Sequence, residues 1–381
     1  MAWDRIIDEN LSELRAVGQF RRPVPRGPCS FSHNDYLGLS GHPRILEAGR
    51  RALSQWEAGS GGSRLLGGHH ELFDETESLV AKFFGAPSSL LFSTGYLANL
   101  AVVTALGKLS SEIFTDEFNH ASLIDGIRLS GRPKQIVPHN AWNTVEPKTV
   151  RAHALFVSEV LFSMEGDFVH RNELESLVRV TGGFLILDEA HSAGVFREEG
   201  RGFGVTDWSR TAVVVTFGKA FGVGGAAVLC CDSVRDLLIN TARTFIFTTA
   251  PPPVVVAMVA ESLGVCGEAV ELRRELWRRA TRAREVLSEV PGLLVMGGWD
   301  EVWSLRSPIL SLSTPGNDNA LRFCELMREL RFELKPIRYP TVAKGRERVR
   351  ISVNLSVTEE ETERMIQLVA SHWKSHVPEN L

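Results

Sequence analysis

Lys219 follows the apolar run 212–215 and sits in Thr216-Phe217-Gly218-Lys219-Ala220-Phe221-Gly222, whose small residues permit a flat ligand to approach closely. A lysine in apolar surroundings loses its proton readily and becomes a nucleophile toward an aldehyde. A surface lysine whose stem runs past Phe217 and Phe221 would show the same local sequence. Asp188 follows a second apolar run, 184–187, and an acid there is solvated, caps a helix or meets a buried cation. The protonated nitrogen of a pyridine ring is such a cation, and a neighbouring carboxylate lets that ring accept electrons from a carbanion. An amine and an acid so placed are what pyridoxal phosphate would need, with Lys219 as the candidate for its aldehyde; the surface lysine and the helix cap stay open beside that reading.

Other strand ends carry further candidates. Gly95-Tyr96 precede a helical pattern and would offer backbone N–H groups to a phosphate, although glycine before a helix also serves as a plain turn. Thr216 and its neighbouring glycines have the same two readings. His120, in Asn119-His120-Ala121-Ser122, could lay its ring over a cofactor plane or be an ordinary hydrogen-bonded histidine. His191, three residues beyond Asp188, would face the same pocket and could bond a phenolic oxygen. The glycine-rich stretch 59–63 lacks the Lys-Ser/Thr ending of a nucleotide P-loop, so ATP binding is rejected. The histidines and acids lack metal-ligand spacing, and no metal is expected.

The elements that must position these residues are short apolar runs at 90–92, 113–114, 136–137, 154–157, 184–187, 212–215 and 226–229. Helical patterns separate several of them, which predicts an α/β chain with a mostly parallel seven-stranded sheet covered on both faces. Open sheets of this kind bind ligands beyond the carboxyl ends of their strands. Residues 254–290 read as long helix with one interruption. Short strands (309–312, 349–353) and helices (320–330, 359–371) follow and predict a smaller C-terminal α/β domain. The expected division is an N-terminal helix and arm at 1–40, a large domain with connecting helix at 41–290, and a small domain at 291–381.

With 381 residues, 44% hydrophobic and 23% charged, the chain has the composition of a soluble globular protein. A formal charge of -4 offers no general attraction to nucleic acid or an anionic membrane. The arginines at 273, 274, 278, 279, 282 and 284 read as a solvated helix face opposite the stripe Leu272, Leu276, Ala280, Ala283 and Leu287. Five scattered cysteines without a C-x2-C pair fit a reduced cytoplasm, and neither an export signal nor a membrane span is expected.

The motifs HNDYLGLSGHP (33–43), GSGGSR (59–64), STGYLAN (93–99), NHASLIDG (119–126), FSMEGD (162–167), DEAHSAG (188–194), GRG (200–202), TFGKAFGVGGAAV (216–228), FTTAPPP (247–253) and IRYPTV (337–342) occur in this order. In them the chain resembles the α-oxoamine synthases, fold-type I pyridoxal-phosphate enzymes that condense an amino acid with an acyl thioester. The likeness is strongest to the members that join L-alanine to a pimeloyl group carried by coenzyme A or an acyl carrier protein. The resemblance implies Lys219 as the Schiff-base lysine, Asp188 as the pyridinium partner, His191 on the phenolic oxygen and His120 stacked on the ring. It implies Gly95, Tyr96, Ser163 and Thr216 around the cofactor and its phosphate. It also implies a homodimer with shared active sites, Thr248 serving the second subunit's phosphate. Arg350 would hold the amino-acid carboxylate near Asn34, and Arg21 and Thr341 match positions that contact the acyl substrate. Phe73, Tyr339, Ala343 and Val357 depart from the family's usual residues, around the expected acyl channel.

Overall fold

A computed structural model describes residues 2–300 and 305–376. The chain forms two compact units: residues 35–163 with 168–274, and residues 2–34 with 164–167 and 275–376.

The first unit holds a seven-stranded sheet. Its strands are β1 (Ser88–Phe92), β2 (Ile113–Asp116), β3 (Lys134–Val137), β4 (Leu155–Glu159), β5 (Phe184–Asp188), β6 (Thr211–Thr216) and β7 (Ala226–Cys230), one for each of the seven apolar runs, with β4 starting one residue after the run 154–157 does. The spatial order is β1-β7-β6-β5-β4-β2-β3, and β7 alone runs against its neighbours. Alternate residues bury on opposite faces, as Ile186 on one side and Leu185 and Leu187 on the other, so the strands read as unbroken apolar runs. On one face Ala98, Ala101, Val102 and Ala105 of helix α4 (Gly95–Leu109) pack on Val157, Ile186, Val214 and Val228. Full burial of each valine or isoleucine among them stabilises the fold by about 1.5–3 kcal/mol.

Parallel register gathers the informative ends at one edge. Glu159 lies opposite Asp188, Asp188 opposite Val214, and Thr216 and Phe92 both opposite Ala226. The loop after β5 is fixed by Glu189, which is fully buried and accepts from Ser192 Oγ and from the Phe203 N–H, both at 2.9 Å. Burial raises its pKa, against the pull of those two donors and of Arg171 and Arg197. Gly202 closes over it with φ +66, and a Cβ there would stand 1.9 Å from Glu189 Oε2. Gly202→Ala is therefore expected to destabilise the protein by about 2–4 kcal/mol, combining left-handed strain with a displaced buried acid. A denaturant midpoint within error of the wild type would contradict this.

In the second unit, strands 335–337, 348–352, 309–313 and 295–296 form an antiparallel sheet in that order, accompanied by helices Asn317–Glu329 and Glu359–His376. The N-terminal helix α1 (Ala2–Ala16) belongs to this unit, and Cys29–Ser30 pairs in parallel with Phe332–Glu333.

The long helical region breaks at Ala269 into helices Pro253–Glu268 and Val270–Ser288. The arginine cluster is not simply a solvated face. Leu276, Ala280, Ala283 and Leu287 are buried as the stripe predicts, but Leu272 is exposed and Arg273 is fully buried. Arg273 donates to the carbonyls of Cys266 (2.6 Å) and Gly267 (3.2 Å), so a guanidinium satisfies the end of the preceding helix. Arg284 is likewise buried against the carbonyls of Met296 and Ile309. All five cysteines are free, and no single helix among the described residues is long and apolar enough to cross a membrane.

Candidate active site

Lys219 is half-buried in the loop from β6 to β7. Backbone bonds pin that loop: Phe217 N–H to Gly225 O, Val223 N–H to Phe217 O and Gly222 N–H to Lys219 O, each 2.9 Å. Phe217, Ala220 and Phe221 are fully buried beneath it. Gly222 has φ +70, and a Cβ on it would strike the backbone of Leu39 and Ser40 at 2.4–2.5 Å, so the loop is seated where only glycine fits.

Asp188 ends β5 with 5% exposure. Its Oδ1 accepts the Ala190 N–H at 2.8 Å and its Oδ2 accepts Asn99 Nδ2 at 2.6 Å. Both donors are neutral. A buried carboxylate held by neutral donors at a strand end fits a cationic ring nitrogen, and this is the feature that tests whether pyridoxal phosphate suits the residues present.

His120 is the N-cap of helix α5 (Ala121–Ser130), its Nδ1 accepting the Ser122 N–H at 3.2 Å. The preceding Asn119 ties it to the sheet edge, donating to Val157 O at 2.8 Å and accepting the Glu159 N–H at 3.1 Å. Desolvation lowers the His120 pKa, Asp188 opposes the shift and Lys219 reinforces it, so all three share one electrostatic environment. An uncharged imidazole is favoured at neutral pH. His191 is buried and exchanges a 2.7 Å hydrogen bond between Nδ1 and the hydroxyl of Tyr36, itself fully buried.

At the start of α4, Thr94 caps the helix by accepting the Leu97 N–H, and Gly95 opens its first turn. A Cβ on Gly95 would lie 3.7 Å from Thr216 Cβ, so the helix N-terminus and the end of β6 border one small space. Backbone N–H groups beside a threonine hydroxyl are the donors a phosphate requires. Tyr96 lies with its ring centroid 6.3 Å from that of His120 and donates to Asp125, which raises the tyrosine pKa. Ser163 is buried, and Thr248 is half-buried beside the exposed Phe247.

The first unit therefore brings Gly95 beside Thr216, Tyr96 beside His120, and His120 into the field of Asp188 and Lys219, while His191 is tied to Tyr36. In the second unit, Arg350 donates to Asn34 Oδ1 at 3.1 Å, Ser352 Oγ shares that acceptor at 3.2 Å, and Arg21 donates to Thr341 Oγ1 at 2.9 Å. Three partners escaped the sequence reading: Tyr36, Asn99 and Ser122. Of the departures, Phe73 is fully buried with the Arg64 guanidinium 4.5 Å from its ring centroid and His69 and His70 stacked on it. Tyr339 carries Lys344 over its ring at 5.3 Å, and Val357 is buried.

The model of the family "Aminotransferase class I and II" matches residues 27–369. An 8-amino-7-oxononanoate synthase of Methylococcus capsulatus is 37% identical over 97% of this chain and 93% of that protein. One of Burkholderia thailandensis is 37% identical over 91% and 93%. Among solved structures, the 8-amino-7-oxononanoate synthase of Francisella tularensis aligns with a TM-score of 0.75 at 27% identity, covering 91% of this chain and 98% of that one. A Sphingomonas wittichii serine palmitoyltransferase aligns at 0.85 over 99% of both chains with 24% identity, a likeness of fold.

Proposed function

The chain belongs to the aminotransferase class I and II family, and from that premise we propose that it condenses L-alanine with a pimeloyl thioester to give 8-amino-7-oxononanoate, carbon dioxide and free thiol. The observation that carries the chemistry is the buried Asp188, held by neutral donors in the environment it shares with Lys219. The choice of substrates is supported by the full-length likeness to 8-amino-7-oxononanoate synthases.

Pyridoxal phosphate supplies, when bound, an aldehyde for amines and a ring that accepts the electron pair released at the amino acid's α-carbon. Asp188 would keep the ring nitrogen protonated, His191 oriented by Tyr36 would bond the phenolic oxygen, and the imidazole of His120 would cover the ring. The N-terminus of α4 at Gly95 and Tyr96, with Ser163 and Thr216, would hold the phosphate. The Lys219 amine takes the α-proton of alanine. A carbon–carbon bond then forms to the thioester carbonyl as the carbon–sulfur bond breaks, the α-carboxylate leaves as carbon dioxide, and a proton is returned to that carbon. Arg350 with Asn34 is assigned to the amino-acid carboxylate, and Arg21 and Thr341 to the acyl substrate.

A cytoplasmic homodimer completes this reading, with Thr248 contributed to the partner's phosphate site. The test is a panel of alanine, serine and glycine against pimeloyl and longer acyl thioesters, on coenzyme A and on acyl carrier protein, with products read by mass spectrometry. The decarboxylated amino ketone of alanine and pimelate is expected to dominate. Turnover confined to another amino acid or acyl chain would overturn the substrate assignment and leave the cofactor site standing.

A further inference from the structure

Asn99 and Ser122 link Asp188 to His120, two residues of the site that interact electrostatically. Asn99, 2% exposed in an otherwise apolar stretch of α4, donates from Nδ2 to Asp188 Oδ2 at 2.6 Å and to Ser122 Oγ at 2.9 Å. Ser122, fully buried, lies 2.7 Å through Oγ from His120 Nδ1 and donates its backbone N–H to that same nitrogen.

The polarity of this chain follows from donor counts. An ionised Asp188 only accepts, so the amide of Asn99 must turn its nitrogen toward it, and both hydrogens of that nitrogen are then committed. Ser122 Oγ accepts one of them and keeps its own hydrogen to give. A backbone N–H can only donate, so His120 Nδ1 is already an acceptor before the hydroxyl is considered. We infer that Asn99 and Ser122 are positioning residues: the Asn99 amide donates both to Asp188 and to Ser122, and Ser122 donates on to His120 Nδ1, which holds the imidazole with its proton on Nε2.

Close helix packing makes the chain possible. A Cβ on Gly126 of α5 would lie 2.8 Å from Val103 Cβ of α4, and one on Gly107 of α4 would lie 2.8 Å from Ser130 Cβ of α5. Two glycines thus let the helices approach until Asn99 reaches Ser122. The charged and titratable groups around His120 are Asp188 from β5, Lys219 from the loop after β6, Asp125 from its own helix and Tyr96 from α4. An imidazole locked as the Nε2–H tautomer presents a fixed donor on its far side, while its partner chain holds the carboxylate that serves the ring nitrogen. The use of that donor rests on the pyridoxal-phosphate reading, but the tautomer can be measured without it.

The test uses purified cofactor-loaded protein carrying 15N-histidine, with His120 identified by the signals lost in His120→Gln. Two-bond proton–nitrogen spectra are expected to show Nδ1 as a bare acceptor and Nε2 protonated, in the loaded and the cofactor-stripped protein alike. Ser122→Ala, which loses the hydroxyl but keeps the backbone N–H, should retain the cofactor's absorbance and the Nε2–H tautomer, shift the Nδ1 resonance, raise the ring's pKa because one of two donors to the neutral form is gone, and lower kcat about tenfold. Ser122→Thr, which keeps the hydroxyl, should keep the wild-type Nδ1 resonance and ring pKa. A wild-type ring protonated on Nδ1 overturns the inference whether or not any variant folds. Unchanged His120 signals in Ser122→Ala overturn it equally. A protein that shows the expected tautomer but no amino-ketone product would refute the substrate reading alone.

Discussion

Lys219→Ala is expected to lower turnover by about 10⁴-fold or more, because it removes both the nucleophile that anchors the cofactor and the base that takes the α-proton. The fold should survive. The loop is held by three backbone hydrogen bonds and by buried Phe217, Ala220 and Phe221, none of which involves the lysine amine. The melting temperature should therefore stay within a few degrees of the wild type, as expected for a half-buried side chain outside the core. Turnover assays and thermal melts on the same preparation check both halves, and activity above a hundredth of wild type would contradict the role.

Asp188→Asn is expected to keep the cofactor but slow exchange of alanine's α-hydrogen with deuterated solvent by about 10³-fold, the scale on which a preorganised charge acts in a closed site. The new amide is close to isosteric with the acid and can still accept the Ala190 N–H through Oδ1. Its nitrogen would then face Nδ2 of Asn99, now 2.6 Å from the Asp188 oxygen, setting donor against donor. The variant thus loses the charge that favours a protonated ring nitrogen and disturbs the chain to His120 as well. Near-normal exchange would return Asp188 to the role of a turn cap.

The sheet was legible because a strand buried on both faces leaves an uninterrupted apolar run: six of the seven runs lie within a strand, the run 154–157 starts one residue before Leu155–Glu159, and only the exposed edge strand Lys134–Val137 lacks such burial. The site residues at strand ends were legible for the same reason: a polar residue directly after such a run is conspicuous. Tyr36 and Asn99 were not, since their partners lie 155 and 89 positions away and no local spacing encodes them; Ser122 stands two residues from His120, but its bond to Asn99 spans 23 positions. Asn99 did leave a trace as an amide inside an apolar helix, where an unpaired polar group would be costly. Arg273 and Arg284 misled for the opposite reason. Charge clustering suggests solvent, yet a guanidinium can also be buried to satisfy carbonyls at a helix end or strand edge.

Borohydride reduction of the cofactor-loaded protein, followed by proteolysis and mass spectrometry, tests the central claim most directly. The phosphopyridoxyl group is predicted on the peptide that contains Lys219, with no other lysine labelled. Attachment to a different lysine, or a cofactor that washes away unreduced, would contradict an enzyme built around Lys219.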